Sequence, residues 1–185
     1  MKKIIFFLIS LVMTQTTFAK NIGKDGDNTA ILGLSTFYYS SSSESGGVST
    51  TSTNTIYDLK GGYVTSKGLF LGLLYTMRDD NLPGAVATGG TQLGASVGYY
   101  GSSGIHFVGH YITSAKLGGN PSAYEKGSGI QADFGYLSSV TSNFFIGVDL
   151  SYRSITYKDQ GGVTLTNSYK RTELFPMLSL MFTLM

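Results

Sequence analysis

"GGTQLGASVGYYGSSGIHFVGHYITS" runs from Gly89 to Ser114 and holds two alternating runs around a short break. In the first, Leu93, Ala95, Val97 and Tyr99 oppose Gln92, Gly94, Ser96 and Gly98. In the second, Ile105, Phe107, Gly109, Tyr111 and Thr113 oppose His106, Val108, His110, Ile112 and Ser114. Alternation with period two is the signature of a β-strand, and "GSSG" at Gly101–Gly104 is a hairpin turn. Neither face carries Lys or Glu. A strand with one face in water normally shows charge there; here one face is large and apolar, and the other is mostly small. The large face is therefore expected to look at lipid.

The same alternation recurs along the chain. Eight runs are expected near 29–41, 53–64, 69–78, 91–100, 105–115, 127–137, 143–156 and 168–184. Short joints at "TSKG" (Thr65–Gly68), "GSSG" and "SSVTSN" (Ser138–Asn143) alternate with longer ones near 42–52, 79–90, 116–126 and 157–167, which are read as loops. Alternating short and long joints between antiparallel strands describe a membrane barrel with short periplasmic turns and longer extracellular loops. The run lengths fit, since a tilted spanning strand needs roughly 9–11 residues.

A soluble barrel of lipocalin type would point its apolar row inward, and a membrane barrel points it outward. Here the opposite row is rich in Gly and Ser (Gly72, Gly94, Ser96, Gly98, Gly135, Gly147, Ser151), which suits a narrow eight-stranded bore. Only 13% of residues are charged, against roughly 25% in ordinary soluble domains. The net charge of +2 offers no concentrated basic face for nucleic acid. With no cysteine, disulfides and thiolate chemistry are excluded. The start of the chain ("MKK", then "IIFFLISLVM", then "TQTTFA") has the layout of a secretory signal peptide, with cleavage expected after Ala19. The organisation read from this is a leader at 1–19, a short periplasmic segment at 20–28 and a barrel over 29–185.

The chain thus resembles the small eight-stranded bacterial outer-membrane β-barrels of the broad OmpA/OmpX/OmpW-like class, by its leader, its four hairpins and its apolar last strand. The resemblance implies an all-β, antiparallel up-and-down transmembrane barrel, handled by the barrel assembly machinery and bathed in outer-membrane lipids. It also implies a final strand that ends in an aromatic residue. Here "LSLMFTLM" ends in Met185, with Phe182 three residues earlier. Pro176 removes one ladder donor, so a bulge or distorted pairing is expected there.

The inward row is expected to carry Asp58, Lys60, Arg78, Asp133, Asp149, Arg153, Arg171 and Glu173, four acids against four bases, together with His110. Asp58, Lys60, His110, Asp133 and Asp149 count to mid-barrel, and Arg78, Arg153, Arg171 and Glu173 to the outer mouth. Charges in a narrow lumen must pair, so a structural network is expected, with an ion path as the other use. His106 and His110 share a strand face about 13 Å apart at a rise of roughly 3.3 Å per residue, too far to hold one metal together. No metal and no cofactor is expected. Tyr63, Tyr99, Phe107, Tyr136 and Phe144 on the apolar face near the short turns, and Tyr38, Tyr75, Tyr111 and Tyr152 nearer the long joints, are expected to form two interfacial belts.

No serine stands two residues after either histidine, and no phosphate-binding glycine loop leads from a strand into a helix. The function expected is structural, anchoring or surface contact without catalysis, with any surface partner met through the loops. The alternative is a small pore for ions or solutes; a soluble lipocalin-like binder is a third reading.

Overall fold

The computed structural model describes residues 22, 28–45, 48–81, 88–118 and 122–184. The expected leader and most of the segment at 20–28 lie outside the described residues. Eight strands follow one another: β1 (Thr29–Ser45), β2 (Val48–Val64), β3 (Leu69–Asn81), β4 (Thr88–Tyr100), β5 (Ile105–Leu117), β6 (Tyr124–Ser139), β7 (Phe144–Gln160) and β8 (Val163–Leu184). Each pairs antiparallel with the next, and β1 pairs with β8, closing an up-and-down barrel. Closure leaves no free edge in the closed section, a condition that lipid imposes on any spanning sheet.

The outward row is apolar and uncharged over the length of a membrane. Leu71, Leu73, Val97, Tyr111, Phe134 and Leu174 are all more than half exposed. A row of this kind in water would be an aggregation surface; around a closed barrel it is the lipid-facing wall. Leu73 stands four residues from the short-turn end of β3, near the middle of that wall, and is 62% exposed. Leu73→Arg is expected to destabilise the folded barrel by about 2–4 kcal/mol, the cost of a guanidinium at mid-bilayer. On a water-facing strand the same change would stay within about 0.5 kcal/mol. Urea unfolding of the barrel refolded into vesicles distinguishes the two.

The long joints differ from the sequence reading. Most of 42–52 and 157–167, and the ends of 79–90 and 116–126, continue the strands past the apolar wall. Ser, Thr and Asn mark hairpins that stand in water as readily as they mark loops, because an exposed ladder needs no apolar face. β7 and β8 are joined by Gly161–Gly162 alone, both with positive φ (58° and 79°), the conformation that a tight two-residue hairpin requires and glycine adopts freely. At the first long joint, residues 46–47 lie outside the described residues.

Two local irregularities matter for facing. Between β4 and β5 the register slips at Leu93/Gly94, where Leu93 pairs with Ser114 and Gly94 with Ile112. Thr113 is the extra residue of a β-bulge. Ser114 is therefore exposed rather than inward, while Ala115 and Leu117 turn into the core. Of the bulge or distorted pairing expected at Pro176, the bulge is absent, since Leu150↔Pro176 keeps the β7–β8 register. Instead the β1–β8 ladder ends at Thr36↔Leu178, two residues short of the proline, although both strands run on. Beyond that point Phe37 and Phe175 meet with ring centroids 4.9 Å apart.

Candidate functional site

Inward side chains of all eight strands meet in layers along the barrel axis. At the short-turn end lies an apolar layer of Ile31, Val64, Phe70, Tyr100, Val108, Leu137, Phe145 and Met181, joined by Ile22. The sequence reading placed Val108 on the inward face among small and charged residues and did not single out this layer. Its residues are the inward positions next to the short turns, where alternation alone does not tell apolar from polar filling.

Above it lies a hydrogen-bonded ionic network. The Lys60 ammonium bridges Asp133, at 2.6 Å, and Asp149, at 3.0 Å. His106 Nε2 stands 2.8 Å from Asp149 Oδ1 and His110 Nε2 3.0 Å from Asp133 Oδ2. Ser35 and Ser179 donate to the second oxygen of Asp149. Gln131 donates to both Asp133 and Asp58, joining the two carboxylates. Asp58 also accepts from Thr76 at 2.7 Å and pairs with Arg153. Lys60, Asp58, Asp133, Asp149, Arg153, His106 and His110 are all buried. The pairs of Lys60 with Asp133 and Asp149 and of Asp58 with Arg153 join strands far apart in the chain, and they exist only because closure brings β2, β6 and β7 around one axis.

Two further apolar groups, Ile56 with Phe175 and Met177, and Leu74 with Ile112, Ile155 and Tyr157, fill space toward the hairpin end. The guanidiniums of Arg78 and Arg153 stand 5.8 and 5.7 Å from the centroid of the Phe175 ring. An outer ionic group completes the stack. Arg78 holds Glu173 through two bonds of 2.6 and 2.8 Å and donates to Asp80. Arg171 pairs with Glu173 at 2.7 Å and reaches Asp80 at 3.4 Å. Two-pronged guanidinium–carboxylate contact of this kind is strong and directional.

All nine inward positions expected from the sequence lie on the inner face: Asp58, Lys60, Arg78, His110, Asp133, Asp149, Arg153, Arg171 and Glu173. One is differently placed. Arg153 belongs to the middle network through Asp58 rather than to the outer mouth. Asp80 was read as loop and is a member of the outer group. Its signal was available, because the alternation Leu74, Thr76, Arg78 continues through it. The role of Gln131 as the link between carboxylates had no local signal. The nine aromatics expected in two belts (Tyr38, Tyr63, Tyr75, Tyr99, Phe107, Tyr111, Tyr136, Phe144 and Tyr152) all stand on the outward face, at two levels along the strands.

Ser96, His110 and Asp133 form a hydroxyl–imidazole–carboxylate line, with Ser96 Oγ 2.7 Å from His110 Nδ1. A hydrolytic serine needs its oxygen open to substrate and donors waiting for the oxyanion. Ser96 is 6% exposed, and Lys60 shares Asp133 with the histidine. What this line does chemically is fix the imidazole, with both ring nitrogens hydrogen-bonded.

No family model and no curated protein matches the chain. Among solved structures it is similar to the crystal structure of Neisserial surface protein A (NspA), at 17% identity, with 83% of this chain and 96% of that chain covered and a TM-score of 0.48.

Proposed function

We propose that the chain is an integral barrel of a bacterial outer membrane, with its short turns in the periplasm and its long hairpins outside. Its role in this reading is structural or surface-facing, without catalysis, and its lumen is a plug of side chains. The observation that carries the reading is the apolar layer lying directly beneath the ionic network. An eight-stranded barrel has just enough interior for side chains. A water path would have to displace Phe70, Leu137 and Phe145, each at most 3% exposed, and then break paired charges.

The network has a plain structural use. A slip of one residue turns every inward side chain of a strand outward. For β2, β6 or β7 that would send Asp58 and Lys60, Asp133, or Asp149 and Arg153 into hydrocarbon. Cross-barrel ion pairs therefore penalise wrong registers far more than they add to the right one. The outward aromatics act in this reading as anchors in the two headgroup layers. The partners are membrane lipids, the assembly machinery and any surface partner that meets the outer hairpins.

Single-channel recording of the refolded chain in a planar bilayer tests the plug. Wild type that inserts is expected to show no steady openings, and Asp149→Ala and Arg153→Ala, which leave the apolar layer in place, are expected to stay silent when they insert. Steady wild-type openings altered by either substitution would instead make the lumen a pore.

A further inference from the structure

Four lysines stand on the outside of consecutive strands, above the apolar wall. Lys116 lies eleven residues from Ile105 of β5, Lys126 thirteen from Ser139 of β6, Lys158 fourteen from Phe144 of β7 and Lys170 fourteen from Leu184 of β8. With strands tilted at roughly 35–45°, each residue adds about 2.5 Å of height, so the lysines stand about 28–35 Å above the short-turn end. The apolar band of such a barrel is about 25 Å tall. The ammonium groups thus sit in the headgroup layer. At matching outward positions on β1–β4 the described residues are Ser40, Ser42, Thr51, Thr53, Asp79, Asn81 and Gly89, none of them a cation. The basic arc is confined to one side.

Two of the four are engaged. Lys116 pairs with Glu125 at 2.9 Å and Lys126 with Asp159 at 2.6 Å. The hydrogen bond from Lys126 holds the Asp159 carboxyl below its usual range and raises the ammonium in return. Lys158 and Lys170 are exposed and make no ion pair among the described residues. Thr156↔Lys170 makes them diagonal neighbours across β7 and β8.

A groove in the lipid-facing wall lies below this arc. It has a volume of about 570 Å³, floored by Ala95, Gly109 and Ala132 and edged by Leu71, Tyr111 and Ile130. Register tells what stands over it. Along the partners Val97, Gly109, Ala132, Tyr152 and Leu174, the distance from the short-turn end grows from three residues to four, seven, eight and ten. The direction perpendicular to the strands therefore climbs toward β8, so strands lean back toward lower numbers as they rise. The wall of β4–β6 is overhung by the outer ends of β6–β8, which carry Lys126, Lys158 and Lys170.

We propose that this side of the barrel holds a phosphate-bearing lipid of the surrounding leaflet, with an acyl chain in the Ala95–Gly109–Ala132 groove and its phosphate on Lys158 and Lys170. The proposal rests on the membrane-barrel reading. Apolar groove and unpaired cations are complementary to the two ends of one amphiphile, at a vertical separation that its length spans. Neutral lipids match only the groove, and free phosphate matches only the lysines.

The test uses the chain refolded into zwitterionic detergent micelles, with a diphosphorylated glucosamine lipid titrated in and retention read by native mass spectrometry. One retained lipid per barrel is expected. Lys158→Gln with Lys170→Gln is expected to weaken retention on the order of 30-fold, from two surface charges. Gly109→Leu fills the groove from outside, where an added Cβ finds its nearest heavy atom at 3.8 Å, and is expected to weaken it as well. Lys67→Gln, in the turn after β2, is expected to leave it unchanged. Retention that survives either the lysine pair or the groove substitution, or that inorganic phosphate abolishes, overturns the site. A chain that gains no β-structure in micelles would instead overturn the membrane-barrel reading, which circular dichroism reports separately.

Discussion

Lys60→Met is expected to destabilise the barrel by about 3–5 kcal/mol, the range for removing one partner of a buried ionic cluster. Lys60 is 3% exposed and, among the described residues, is the one cation that contacts both Asp133 and Asp149. The substitution keeps the length and apolar character of the side chain, so the loss comes from two carboxylates left facing each other in the interior. Adding Asp133→Asn and Asp149→Asn is expected to recover most of it, because neither amide carries a charge to compensate. Each amide oxygen still accepts from the facing histidine, and the new amino group at position 149 donates to the Ser35 or Ser179 hydroxyl, which turns round to accept. Urea unfolding of refolded protein, followed by the gel mobility of folded and unfolded forms, measures both. A single variant within about 0.5 kcal/mol of wild type would mean that the network contributes nothing to the fold.

Gly135→Ala is expected to cost a similar amount, about 3–5 kcal/mol, by overpacking and by loss of a charge-assisted bond together. A Cβ on Gly135 would press on the Asp149 carboxylate and the Val148 carbonyl, with His106 Cε1 at 2.7 Å. The glycine lets the His106–Asp149 pair close against the wall, and a methyl group would pry it apart. Gly109→Ala serves as the control. It points outward, meets nothing nearer than 3.8 Å, and is expected to change stability by less than about 0.5 kcal/mol. Equal effects at the two positions would show that glycine matters here only through backbone freedom.

The interior illustrates how far alternation reaches. Asp58, Lys60, Asp133 and Asp149 could be assigned to the inner face because period two fixes the side of the sheet on which each residue lies. It cannot say that Lys60 reaches Asp133 and Asp149 on strands far along the chain, nor that Arg153 drops into the middle network while Arg78 and Arg171 stay outside it. Those choices depend on stagger around the ring, which is a property of closure. The bulge at Thr113 shows the limit of the rule within one strand. One extra residue reverses the facing of everything after it, and no local feature of "HYITSAKL" announces it.

The strand ends show the complementary limit. Hydrophobic pattern stops where lipid stops, so the sequence marks the height of the apolar wall and leaves the polar extensions of β1, β2, β7 and β8 looking like loops. Their hydrogen bonding depends on the neighbouring strand rather than on a buried face.

What the sequence by itself determined is the class of object: eight alternating strands, one face uncharged and large enough for lipid, the other narrow and carrying the charges. That follows because the side-chain period is local and the environment of each face must match its chemistry. What only the tertiary structure decided is who meets whom: the Lys60 bridge, the apolar layer beneath it, the end of the β1–β8 ladder at Leu178, and the lysines of β6–β8 overhanging the groove of β4–β6. Tilt and stagger set these, and they exist only once the eighth strand has closed on the first.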